Sequence, residues 1–158
     1  MEISIAIISD IPKLCILLNT LFSQEAEFEV DNAAQRRGLE AIIKRPDMGD
    51  IFVARDNGQI IGMVSLLYSI STALGATVCT LEDMVVSGEG RGRGTGANLV
   101  KFARDFAIKK GCRRITLLTA YDNAEAQRFY ERNGFSRSTM VAFRMSLDDE
   151  GLSWSAPH

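Results

Sequence analysis

The stretch Val86-Ser87-Gly88-Glu89-Gly90-Arg91-Gly92-Arg93-Gly94-Thr95-Gly96-Ala97-Asn98-Leu99-Val100 joins an apolar strand to an amphipathic helix through a turn rich in glycine and carrying two arginines. Glycines let consecutive backbone N–H groups point inward with no Cβ in the way, and the helix that follows adds the positive end of its dipole. Such a turn predicts a cradle for an anionic, phosphate-bearing ligand. It is not a P-loop, because no Gly-Lys-Ser/Thr follows, and it lacks the Gly-x-Gly-x-x-Gly spacing of dinucleotide-binding turns with their acidic residue about 20 positions on.

Working outward, 158 residues fit one domain, taken here as residues 1–146 followed by a tail, 147–158. A composition of 46% hydrophobic and 24% charged residues is that of an ordinary globular protein. A net charge of −2 argues against a large general nucleic-acid surface, which would be strongly basic. Cys15, Cys79 and Cys112 are odd in number and far apart, which suggests neither a disulfide framework nor a zinc site but small apolar residues in a reducing compartment. The opening Met1-Glu2-Ile3-Ser4 has no basic leader and no apolar run reaches the roughly 18 residues of a membrane span, so a cytoplasmic protein with no membrane partner is expected.

Residues 3–8 read as a strand, and Asp10 with Pro12 as the cap and first turn of a helix whose Leu14, Leu17, Leu18, Leu21 and Phe22 form one apolar face. A second helix runs from Ala33 or Ala34 to about Lys44, ending before Arg45-Pro46. Two strands, 50–55 and 59–69, flank Asp56-Asn57-Gly58, a strong hairpin signal, and 77–86 is a third strand beside them. After the glycine turn a helix extends to Lys109-Lys110-Gly111, followed by a strand 114–119, a helix 123–133 and a final strand or hairpin half within 135–146.

With this order in place, the residues resemble the GCN5-related N-acetyltransferase (GNAT) superfamily, over roughly residues 1–146. Its Arg/Gln-x-x-Gly-x-Gly/Ala turn is matched by Arg91-Gly92-Arg93-Gly94-Thr95-Gly96, and its second signature by Asn123-Ala124-Glu125-Ala126-Gln127-Arg128-Phe129-Tyr130-Glu131-Arg132-Asn133-Gly134-Phe135. The resemblance implies an α/β (α+β) fold: a mixed, mostly antiparallel twisted sheet of about six or seven strands, flanked by about four helices. It implies acetyl-CoA as co-substrate, no metal, and direct transfer of the acetyl group to a primary amine without an acyl-enzyme. The cofactor would be held by backbone at Met84, Val85 and Val86, by Arg91, Gly92, Arg93, Gly94, Thr95 and Gly96, and by Asn123, Ala126 and Phe129. A backbone N–H of a bulge in the fourth strand would polarise the thioester carbonyl, and Tyr130 would protonate the departing thiolate.

Thr80-Leu81-Glu82-Asp83-Met84-Val85-Val86 sets two carboxylates in an apolar strand, and regular alternation sends them to opposite faces. A buried carboxylate is costly unless paired or working, so the pair is either a structural contact or part of the chemistry. Leu-Glu-Asp before the glycine turn also looks like the strand-four sequence of small-amine acetyltransferases, which makes Glu82 the candidate general base and Asp83 the second. Cys79 as an acyl-enzyme nucleophile is disfavoured, since its strand is apolar and the single histidine, His158, is the final residue. In the connection between the first two helices, Glu25, Glu27, Glu29 and Asp31 either favour a cationic acceptor, with Glu27 and Asp83 as substrate-binding residues, or form a solvated acidic loop. Three functions follow: an N-acetyltransferase of a small-molecule amine or amino acid; the same enzyme acting on protein lysines or N-termini; and a non-catalytic acetyl-CoA-binding module. Val141, Phe143 and Met145 alternate in the final strand, as a core face or a homodimer face would.

Overall fold

The computed structural model describes residues 1–23 and 31–147. In chain order they form β1 (Glu2–Ile5), a 3-10 turn (Ile8–Asp10), α1 (Ile11–Ser23), α2 (Asn32–Ile43), β2 (Gly49–Asp56), β3 (Gln59–Ser71), β4 (Ala76–Val86), α3 (Thr95–Lys109), β5 (Ile115–Thr116) and α4 (Ala124–Arg132). The strands lie side by side in the order β1-β2-β3-β4-β5. The first three pairings are antiparallel and β4–β5 is parallel, giving the expected mixed, mostly antiparallel sheet.

Alternation along the strands divides the core in two. Ile51, Val53, Ile60, Met63 and Val85 pack against Leu14, Leu17, Leu18 and Leu39 of α1 and α2. Phe52, Ala54, Ile61, Val64, Leu66, Cys79 and Leu81 pack against Leu99, Ala103 and Ala107 of α3. Phe52 is fully buried, and the rings of Phe102 and Phe106 meet it edge-on at 5.2 and 4.9 Å. The β2–β3 hairpin turns at Asn57 and Gly58, both with positive φ (51° and 77°), the turn that matches strand twist.

Polar ties fix the elements at their ends. Asp10 does not cap α1; its carboxylate accepts from the Ile7 N–H at 2.9 Å and from Arg55 Nη2 at 2.7 Å, binding the turn before α1 to β2. Beyond the end of α3, Lys110 donates to the Pro46 carbonyl at 2.8 Å and to Asp50 Oδ2 at 3.3 Å. The Tyr68 hydroxyl donates to the same Asp50 oxygen at 2.5 Å.

Two expectations need correcting. The sheet has five strands among the described residues rather than six or seven, because the strand expected over 114–119 shrinks to Ile115–Thr116 and residues 135–146 form none. A strand needs a neighbour to take its backbone hydrogen bonds. A two-residue β5 offers almost no edge, so Val141, Phe143 and Met145 stand in solvent, with Phe143 93% exposed. Alternation alone could not distinguish a paired strand from this extended segment.

Candidate active site

The site begins with an irregularity in β4. Its register against β3 passes from Ser65↔Glu82 to Met63↔Val85, so Asp83 and Met84 together oppose Val64: a β-bulge. Asp83 takes the bulge with φ 53°, a left-handed conformation unusual for a residue other than glycine or asparagine. Leu81, Met84 and Val86 pack on the α3 face and Val85 on the α1–α2 face. Glu82, paired with Ser65, and Asp83, beside Leu18 and Leu39, therefore both lie on the α1–α2 face. This overturns the expectation that the two carboxylates point to opposite faces: the extra residue resets the alternation.

The parallel pairing stops short of the bulge. Cys79 and Thr80 are the β4 residues aligned with β5, so from Leu81 to Val86 the β4 edge turned toward β5 has no strand beside it among the described residues. Backbone groups on that edge are open to an extended ligand, as an added strand would use them, whereas those of Val85, opposite Met63, turn toward β3.

This edge runs directly into the glycine turn. Gly92 and Gly94 have φ of 74° and 76°, and Gly94 is the N-cap of α3 with no side-chain cap on the helix. The first N–H groups of α3, at Thr95 and Gly96, thus face outward with the positive helix end behind them. Gly90 lies so close to β3 that a Cβ there would sit 2.9 Å from the Ile61 carbonyl oxygen. The Thr95 hydroxyl is buried and donates to the Gly90 carbonyl at 2.9 Å, holding the turn closed. Arg91 is exposed and its Nε reaches the Val86 carbonyl at 3.4 Å, whereas Arg93 pairs with Asp56 of the β2–β3 hairpin at 2.6 Å. That pair lowers the Asp56 carboxyl, chiefly through the Arg93 hydrogen bond. The residues present suit a pyrophosphate: backbone donors, a dipole and an exposed guanidinium.

Helix α4 stands against the turn. Asn123 is its N-cap, accepting from the Ala126 N–H at 3.1 Å. A Cβ on Gly96 would come within 3.1 Å of Phe129 Cζ, so the glycine is what lets α4 approach α3 this closely. Phe129 and Phe135 hold the Tyr130 ring edge-on at 5.1 and 5.7 Å, in the same cluster as Met84 and Val86. Burial pushes the Tyr130 phenol up to about 12, so it keeps its proton at neutral pH.

On the opposite face, α1, α2 and the bulge line an open groove of about 330 Å3. Leu18, Phe22, Leu39 and Ile42 make it apolar; Asp31, Gln35 and Asp83 are its polar members. Asp31 also caps α2, accepting from the Ala34 N–H at 3.0 Å. Gln35 escaped the sequence reading. It is 8% exposed, donates through Nε2 to Asn19 Oδ1 at 2.9 Å, and leaves Oε1 without a partner among the described residues. A signal existed: Gln35 precedes Leu39 by four residues and so lies on the apolar stripe of α2. Glu27, with Glu25 and Glu29, lies outside the described residues.

Three comparisons bear on this arrangement. The model of the family described as "Acetyltransferase (GNAT) family" matches residues 15–135. The uncharacterized N-acetyltransferase YhfO of Bacillus subtilis is 32% identical over 122 residues, covering 75% of this chain and 81% of that protein. The aminoalkylphosphonate N-acetyltransferase of Salmonella typhimurium is 29% identical over 110 residues, 70% of this chain and 71% of the relative. Among solved structures, glucosamine-6-phosphate N-acetyltransferase from Arabidopsis thaliana superposes with a TM-score of 0.74 at 25% identity, covering 93% of this chain and 98% of that one.

Proposed function

Because the chain belongs to the acetyltransferase (GNAT) family and is an acetyltransferase, we propose that it uses acetyl-CoA to acetylate the primary amine of a small molecule, directly and without an acyl-enzyme. One observation carries the reading: an uncapped glycine turn at α3 continues into a bulged β4 edge with no neighbouring strand among the described residues, with a partly buried tyrosine on one face and two carboxylates on the other. The turn and Arg91 would take the pyrophosphate, and the open β4 edge at Met84 and Val86 the pantetheine arm through its backbone. Arg93, tied to Asp56, would add positive charge near the turn rather than a direct fork.

In the transfer, a C–N bond forms as the amine nitrogen attacks the thioester carbonyl carbon, and the C–S bond breaks. The amine proton passes to Glu82, exposed on the acceptor face, and the thiolate takes its proton from Tyr130. Burial keeps the phenol protonated at neutral pH, so the acid form is in place where negative charge develops on sulfur. Holding both reactants along one strand edge supplies much of the remaining acceleration. The acceptor class is supported by relatives named for small-molecule amines, aminoalkylphosphonate and glucosamine 6-phosphate.

The test follows free-thiol release from acetyl-CoA with a panel of small amines, amino acids and peptides, with Tyr130→Phe alongside. Turnover of small amines, sharply slowed in Tyr130→Phe, is expected. Turnover confined to peptides would overturn the acceptor class, and an unchanged rate in Tyr130→Phe would remove the tyrosine from its role.

A further inference from the structure

The α3-side core is unfinished at its α4 end. Ile115 and Leu117, Tyr130 of α4, and Phe135 pack against that core yet stay only partly buried, and no residue of α4 is buried. β5 is the last strand of the sheet, so no strand lies along its outer edge among the described residues, and Leu118 just beyond it is 64% exposed. An edge of this kind lacks one more strand with a single apolar face.

The same chain carries such a strand and leaves it unused. Val141, Phe143, Met145 and Leu147 alternate with Ala142, Arg144 and Ser146, and the four apolar side chains are 79–93% exposed. The root of this arm is fixed. The Phe135 N–H donates to the Tyr130 carbonyl at 3.0 Å, and Arg137 donates to the Gln127 side chain of α4. Gln127 in turn donates to the carbonyls of Ala120 and Tyr121 at 3.1 and 2.9 Å. The arm therefore leaves α4 in a set direction, forms no strand with its own β5, and keeps its apolar face in solvent.

We propose that a second copy of this chain fills the gap: two copies related by a twofold axis exchange arms, residues 138–147 of each adding as a strand along the outer β5 edge of the other. Self-complementarity selects the occupant. Each copy offers one unpaired strand and one unpaired edge, and an identical copy takes up both at once, as an isologous interface does. One arm and one edge from each copy together reach roughly the 800 Å2 per partner of a standard interface. Because α4 carries Tyr130, the second copy's arm would also brace the helix on which the proposed acid sits.

The test uses the full chain, by sedimentation and by cross-linking. At micromolar concentration it should sediment at twice its 17.4 kDa. Phe143→Asp and Val141→Asp change side chains that are exposed within the chain, so each variant should keep its circular dichroism. Each should nonetheless weaken the dimer by about 30-fold or more, since a twofold interface loses the residue twice. Ile16→Asp and Ile70→Asp, at exposed apolar positions on α1 and β3, should leave the dimer intact. In a Cys112→Ser background, a chain bearing Leu118→Cys and a differently tagged chain bearing Met145→Cys should join through a short bismaleimide into a band holding one of each. A monomer, a dimer that survives both arm substitutions, or failure of the two chains to join would overturn the proposal. So would cross-linking of the same two positions within one doubly substituted chain, which would mean that the arm closes on its own sheet.

Discussion

Tyr130 shows how a single side chain acquires a function from its surroundings. Its sequence neighbours make it look like a core aromatic, and it does sit between Phe129 and Phe135, partly buried against the α3-side core; the catalytic role proposed for it comes from that setting. Tyr130→Phe should lower kcat by about 10²- to 10⁴-fold, the usual worth of a general acid, with KM for acetyl-CoA little changed, as steady-state kinetics would read. The same burial makes a stability prediction. The folded chain holds the Tyr130 proton up to about pH 12 whereas the unfolded chain releases it near 10. Between those values the unfolded state binds fewer protons, so the contribution is complete below pH 10 and is lost as pH rises through 12. Tyr68 acts in the same direction, raised first by burial and then by its bond to Asp50. Melting temperature should fall through this alkaline window, and less steeply in Tyr68→Phe and Tyr130→Phe.

At the scale of the element, β4 departs from what a strand's sequence can announce. Nothing in Thr80-Leu81-Glu82-Asp83-Met84-Val85 distinguishes a regular strand from a bulged one; the pairing with β3 decides, and it places Asp83 at φ 53°. Valine is the better strand residue in general, yet here a β-branched side chain in the left-handed region is strained. Asp83→Val should therefore cost about 1–2 kcal/mol more than Asp83→Asn in denaturant unfolding, the reverse of strand propensity. The glycine turn, by contrast, was legible, because Gly92 and Gly94 occupy conformations that glycine alone adopts freely. Gly94→Ala, with φ 76°, should cost about 1 kcal/mol and raise KM for acetyl-CoA. The last strand failed for the opposite reason: Val141, Phe143 and Met145 alternate as a strand does, but pairing is a property of the neighbour, and β5 is two residues long.

For the whole molecule, the sheet separates two cores, one under α1 and α2 and one beside α3 and its glycine turn. Leu14 and Leu99 are fully buried, one in each. Leu14→Ala and Leu99→Ala should each cost about 2–5 kcal/mol by calorimetry or urea melts, since each leaves a cavity in a packed interior. The order of elements as far as α4, the hairpin at Asn57-Gly58, the glycine turn before α3 and the family follow from the sequence itself, because they rest on local rules: periodicity, turn geometry and the spacing of two motifs. Where the carboxylates of β4 face, how far β5 runs, that Arg93 is held by Asp56, and that Gln35 is buried with an oxygen unpaired among the described residues were decided by tertiary structure. Each of these depends on which backbone or side chain lies opposite, a contact between residues distant in the chain that no local pattern specifies.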